Sequence, residues 1–150
     1  MTERIHLAKS APELYQGVAH LDRLVAETVA KAGIAEGFAH LLRLRASQIN
    51  GCAFCVRLHT RDALASGESA DRIAVLTAWR ETDYFTPKER AALELVEAIT
   101  RISEGQVPDE VYERATQVLT KEETLAVEWL AVVINTWNRI AISSRYKVAP

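Results

Sequence analysis

Apolar positions along the chain recur at helical spacing and nowhere alternate as in strands. Leu14, Val18, Leu21, Val25 and Val29 share one stripe of a helix running to about Lys31, which Gly33 closes. Ser10, Pro12 and Glu13 read as a capping box with proline in the first turn of that helix. A second helix runs from about Glu36 to Ile49 and breaks at Asn50-Gly51, where both residues tolerate positive φ. A third opens near Cys52 and stops around Gly67, with Phe54 and Leu58 expected to face the core. Ser69 caps a short fourth helix through Ala78. Thr86-Pro87-Lys88-Glu89 is a capping box for a fifth, to about Ser103, and Gly105 to Pro108 form a loop. A sixth helix covers about Asp109 to Leu119, and Thr120 with Glu123 caps the last, to about Ser143. The pattern predicts an all-α protein, one bundle of six or seven helices in a single domain over residues 1–150.

The last helix changes the picture most. Its stretch "LAVEWLAVVINTWNRIAI" (125–142) is long and apolar enough for a membrane span. Glu128, Asn135, Asn138 and Arg139 interrupt it, and an intramembrane charge is expensive. The expectation is therefore a helix buried nearly all round, in a core or a subunit interface, with Glu128 paired to a cation such as Arg139. Trp79, Trp129 and Trp137 are assigned to core or interface, His20 to the surface and His6 to a mobile terminus.

A length of 150 residues suits one domain with a real core. Lys and Arg total 18 against 20 Asp and Glu, with no basic cluster, so there is no electrostatic footprint for nucleic acid. The opening Met-Thr-Glu-Arg-Ile-His has no apolar run behind it, and the expected location is cytoplasmic. In a reducing compartment a cysteine pair is more often catalytic or metal-binding than a structural staple.

Both cysteines lie in "INGCAFCVRLH" (49–59). Cys52 and Cys55 are three apart, Cys55 and His59 four apart, and both spacings bring side chains onto one helix face. Free N–H groups and the positive end of the dipole at a helix start favour a thiolate, and an imidazole one turn on can take its proton. Lowering a thiol pKa by two units from about 8.5 needs roughly 3 kcal/mol of thiolate stabilisation. A thiolate formed there would attack a peroxide O–O bond to give a sulfenic acid, which the second thiol condenses to a disulfide. If Asn50-Gly51 is a tight turn, the helices around it form an antiparallel hairpin, with His40 roughly 15 Å before the turn and His59 at similar height after it. His40 would then hold or relay a proton for His59.

The segment "RLRASQINGCAFCVRLHTRDA" (43–63) resembles the signature of the alkylhydroperoxidase D / carboxymuconolactone decarboxylase superfamily, in its peroxidase branch with C-x-x-C-x-x-x-H. "WRETDYFTPKERAALELVEAIT" (79–100) and "NTWNRIAISSR" (135–145) are similar to family segments too. The resemblance implies a helical bundle of the alkylhydroperoxidase D-like type, assembled as a homo-oligomer, commonly a trimer or hexamer. It implies that Cys55 is the peroxidatic thiol, Cys52 the resolving thiol and His59 part of the proton relay. It also implies a hydroperoxide substrate and a dithiol reductant, a lipoyl-bearing or thioredoxin-like protein, with the cysteine pair serving in place of any cofactor or metal. At one place the chain departs from the pattern. The family glutamate twelve residues before the first cysteine is here His40, and Glu36, one turn earlier, is a partial substitute.

Four other readings of the cysteine pair stay open. Two small buried hydrophobes would need no chemistry. A zinc site would use Cys52, Cys55 and His59, with His40 as fourth ligand. A lyase of the decarboxylase branch would act without the cysteines, and a disulfide carrier or redox sensor would act without turnover.

Overall fold

The computed structural model describes residues 2–150, and every regular element in them is helical. A single turn, α1 (Leu7–Ser10), precedes α2 (Pro12–Lys31), α3 (Glu36–Asn50) and α4 (Ala53–Ala65). Then come α5 (Ala70–Val75), which tightens into a 3₁₀ segment at Leu76–Glu81, α6 (Pro87–Thr100), the single turn α7 (Ile102–Gly105), α8 (Asp109–Val118) and α9 (Lys121–Ser143). The expected six or seven helices correspond to the segments longer than one turn.

Local chemistry explains most of these boundaries. Thr86 and Thr120 each accept from the N–H three residues on, and Glu89 and Glu123 return the bond, so α6 and α9 start in complete capping boxes. The Ser69 hydroxyl accepts from Asp71 and Arg72 and starts α5. Gly51, at φ 69° and ψ 31°, ends α3 in the left-handed region that glycine enters without cost.

Helix α9 packs against α2, α3 and α6, and α3 pairs along its length with α4. Leu41, Leu42 and Leu44 of α3, Leu93, Leu95 and Val96 of α6, and Val127, Leu130, Val133 and Ile134 of α9 are closed off from solvent. Each such side chain contributes roughly 1.5–3 kcal/mol through apolar burial. Glu97 of α6 is buried beside this core. Its carboxylate accepts from Arg45 Nε at 2.7 Å, Trp79 Nε1 at 2.9 Å and Arg80 at 2.6 Å. Burial alone would raise that carboxyl, but the three donors outweigh it and hold the group below its ordinary range. The hub ties α3, α6 and the 3₁₀ segment together.

Several sequence expectations are corrected. Ser10 caps nothing: it ends α1, Ala11 takes the N-cap position without a side-chain bond, and Pro12 leads α2. The extra turn exists because the Leu7 N–H donates to Ser144 Oγ at 3.1 Å, a contact made by the far end of the chain. Leu14, 75% exposed, drops out of the core stripe, which keeps Val25 and Val29. The short fourth helix breaks into a 3₁₀ segment after Val75, and the fifth ends at Thr100. Phe54 packs on Tyr146 and Leu58 is exposed, because α4 turns its Cys/His stripe inward instead. Helix α9 is a core helix on one face only: Leu125, Trp129 and Val132 face outward. Glu128 has no ion-pair partner among the described residues, and Arg139 bonds Asn135 one turn back, three turns being too far for Glu128. His6 stacks on Tyr146 with ring centroids 4.9 Å apart, so this end is docked.

The Glu97 hub generates a stability prediction. Glu97→Ala should lower unfolding free energy by about 3 kcal/mol, because it leaves half-buried Arg45 and the Trp79 N–H without their acceptor. The urea midpoint measures this, and a change under about 0.5 kcal/mol, as at ordinary surface sites, would remove the hub from the list of stabilising features.

Candidate active site

The α3–α4 turn places the thiols. Beyond Gly51, the Cys52 N–H donates to the Ser47 carbonyl at 3.0 Å, and Cys52 is the N-cap of α4 with φ −84° and ψ 92°. Its Sγ accepts the Cys55 N–H at 3.4 Å, a thiol standing where a serine oxygen usually caps. Both cysteines are free, and they are 1% and 3% exposed. With Ala141 of α9 they form a small apolar cluster, covered by Phe54 and Tyr146.

One carboxamide anchors this end of α4. Asn138, fully buried in α9, accepts from Asn50 Nδ2 at 2.8 Å and donates to Ser47 Oγ at 3.0 Å. The same amide favours the ionised form of the Cys55 thiol. Asn50 also donates to Asn135 at 2.9 Å, and Asn135 donates to Thr100 of α6 at 3.1 Å. The polar positions that interrupt the apolar last helix are thus the ones that clamp the hairpin.

The Cys55 thiol is pushed up to about 12, first by burial and then by its hydrogen bond with Cys52, against which the Asn138 N–H acts. The direction is opposite to the expected lowering of the thiol. A helix terminus supplies about 0.5–2 kcal/mol, less than the roughly 4 kcal/mol that separates 12 from the ordinary 9.0. The helix start is also occupied by Cys52 rather than Cys55.

The histidines lie one turn further along α4. His59 of α4 and His40 of α3 meet across the hairpin, with Nδ1 atoms 3.4 Å apart and rings stacked at 5.6 Å. The spacing argument for the hairpin therefore holds in geometry. Asp62 Oδ2 lies 3.7 Å from His59 Nδ1 and 4.0 Å from His40 Nδ1. Burial, then the charges of Arg43 and His40, push His59 down to about 3. His40 is also lowered, by burial first, with Asp62 pulling the other way. Both rings are neutral at physiological pH.

Two cavities border α4, one at its start and one further along it. One, of about 710 Å³, is lined by His40, His59, Asp62, Arg43, Glu36 and Asp22, with Val29, Ile34 and Leu58 as apolar wall. Asp22 holds Arg43 at 2.8 Å and accepts from Trp137 Nε1 at 3.1 Å, fixing α2, α3 and α9 beneath it. The other, about 440 Å³, is lined by Cys52, Phe54, Ala141, Arg145 and Tyr146. Neither cysteine borders the first cavity and neither histidine borders the second.

The structure thus brings Cys52 to Cys55 and His40 to His59. The residues missed by sequence reasoning are Asp62 and Asn138. Asp62 stands three positions after His59 on the same helix face, a visible signal; Asn138 was visible only as a polar interruption. The carboxylate within 4.0 Å of His40 is Asp62 rather than Glu36.

Residues 12–98 match the carboxymuconolactone decarboxylase family. The chain is 37% identical over 149 residues to the uncharacterized protein YdfG of Bacillus subtilis (strain 168), covering 99% of each. It also superposes with TM-score 0.89, at 38% identity and 99% coverage of both chains, on an Agrobacterium tumefaciens protein of unknown function named as a candidate antioxidant defence protein, AhpD.

The carboxamide clamp predicts the effect of its removal. Asn138→Ala should cost about 2–3 kcal/mol, since it strands the Asn50 and Ser47 partners in a buried site. It should also raise the Cys55 pKa further, because the lost N–H bond favours the thiolate. Urea unfolding and thiolate absorbance against pH measure the two effects; a thiol titrating lower than in wild type would contradict the assignment.

Proposed function

The chain belongs to the carboxymuconolactone decarboxylase family, and on that premise we propose that it is a dithiol peroxidase acting on small or alkyl hydroperoxides. The observation that carries this reading is the pair of free, adjacent, buried thiols at the first turn of α4, one turn from the His40–His59–Asp62 cluster. The candidate antioxidant role named for the Agrobacterium tumefaciens relative supports it.

In the cycle, His59 takes the Cys55 proton, relayed through His40 with Asp62 steadying the cation that forms. The Cys55 thiolate attacks the distal peroxide oxygen; the O–O bond breaks, sulfur is oxidised to the sulfenic acid and the alkoxide leaves as alcohol after taking a proton. The Cys52 thiol then attacks that sulfur, forming the disulfide and releasing water. An external dithiol, lipoyl-bearing or thioredoxin-like, reduces the disulfide and is itself oxidised. The cycle needs no cofactor or metal. Cytoplasmic location and assembly as a trimer or hexamer complete the proposal, and the outward stripe Leu125, Trp129 and Val132 on α9 supports a subunit contact.

A second reading is favoured by the separation of the cavities. The larger one offers His40, His59 and Arg43 without a cysteine, a set suited to lyase chemistry on a carboxylate substrate. Such turnover would survive loss of both thiols.

Reduced protein exposed briefly to stoichiometric cumene hydroperoxide should lose two hydrogens by intact mass, and Cys55→Ser should not. Unchanged wild-type mass would end the peroxidase reading, whereas turnover retained in a Cys52→Ser/Cys55→Ser protein would establish the lyase. The oxidation rate should rise about tenfold per pH unit through neutrality, as the fraction of a high-pKa thiol that is ionised does; stopped-flow measurement showing a plateau below pH 8 would contradict a Cys55 pKa of about 12.

A further inference from the structure

His40, His59 and Asp62 present three ligand atoms at the edge of an open cavity that neither cysteine lines, one turn and more along α4 from Cys55. The edges of their triangle are 3.4, 3.7 and 4.0 Å. A point equidistant from three atoms so placed lies about 2.2 Å from each, and zinc bonds imidazole nitrogen and carboxylate oxygen at about 2.0–2.2 Å. For an ion raised out of that plane, as an open fourth position requires, the two longer edges need to close by only a few tenths of an ångström.

We propose that His40 Nδ1, His59 Nδ1 and Asp62 Oδ2 form a site for a divalent transition-metal ion, with the remaining coordination position open to the cavity.

Three features of the surroundings fit a cation. Two neutral imidazoles and one carboxylate are the mixed nitrogen and oxygen donors that zinc and its neighbours prefer, and three protein ligands with one open position is the arrangement of reactive rather than structural zinc. His59 is buried and His40 half-buried, so both rings are positioned before an ion arrives. Arg43, the nearby cation, is paired with Asp22 at 2.8 Å, and Glu36 adds a further carboxylate to the cavity wall. In the metal-free cluster one Nδ1–H donates to the other Nδ1; when the ion binds, that proton moves to Nε2 of its own ring, and both Nδ1 lone pairs go to the metal. The site differs from a Cys52/Cys55/His59 zinc site, because neither cysteine lines its cavity and Cys52 lines the other.

An ion here would occupy the side chains that the proposed peroxidase cycle uses as its relay, so the metal site is an alternative use of them, and the test removes the thiols to keep the two readings separate. Full-length Cys52→Ser/Cys55→Ser protein is titrated with Co²⁺ by absorbance and with Zn²⁺ by calorimetry. The expected result is one ion per chain, visible d–d bands without sulfur-to-cobalt charge transfer, and a rise in melting temperature with Zn²⁺. Adding Asp62→Asn or His40→Gln should weaken binding at least about tenfold, the loss that even an outer-shell partner causes, while the metal-free melting temperature of the near-isosteric Asp62→Asn protein reports that the fold is kept. Absence of saturable binding in the thiol-free protein overturns the proposal, and so does binding that neither substitution weakens.

Discussion

The Asn138 carboxamide is the joint between the part of the molecule that provides stability and the part that carries chemistry. Helix α9 is held in place by its apolar face against α2, α3 and α6, and that packing is non-directional. Apolar contact alone would let the α3–α4 hairpin slide against it. Asn138 prevents this because its oxygen accepts from Asn50 and its N–H donates to Ser47, both at the end of α3. A buried amide with any one of these missing would cost about 1–3 kcal/mol, so only one placement of the hairpin satisfies it. The depth of Cys55, and through the turns of α4 the position of His59, follow from that placement.

Burial then sets the electrostatics along α4. The Cys55 thiol and the two imidazoles are held toward their neutral forms, since desolvation outweighs the helix terminus at Cys55 and Asp62 at His40. The nucleophile and its candidate bases therefore carry no charge at rest, and the fixed charge of the site lies on Asp62 and the Arg43–Asp22 pair. Whatever ionises there does so when a substrate or ion supplies the compensating interaction, which makes reactivity a property of the encounter rather than of the free protein.

Much of this was legible in the sequence where the governing interactions are local. The capping boxes at Thr86 and Thr120 and the left-handed Gly51 depend on residues a few positions apart, and they are found where the sequence puts them. The meeting of His40 and His59 was legible for the same reason: two regular helices joined by a tight turn leave little freedom in relative height. Features made by distant segments were not. Ser10 fails as a cap because Ser144 stabilises a turn ahead of it. Leu58 and Phe54 look like core residues by composition, yet the inward face of α4 is chosen by the Asn138 clamp. The high thiol pKa follows from how completely Tyr146 and Ala141 seal the cysteines, which no spacing rule conveys.

The two-residue connection between α3 and α4 acts as a length gauge. Asn50 is the last residue of α3, Gly51 and Cys52 make the turn, and Ala53 is the first residue of α4. One inserted residue there would rotate α4 by about 100° and shift it by about 1.5 Å. His59 would swing out of the cavity that it shares with His40, and Cys55 would leave Asn138. Side chains around the bend are open to exchange within ordinary turn chemistry, whereas the number of residues in it is fixed by two contacts one turn apart on the inward face of the same helix.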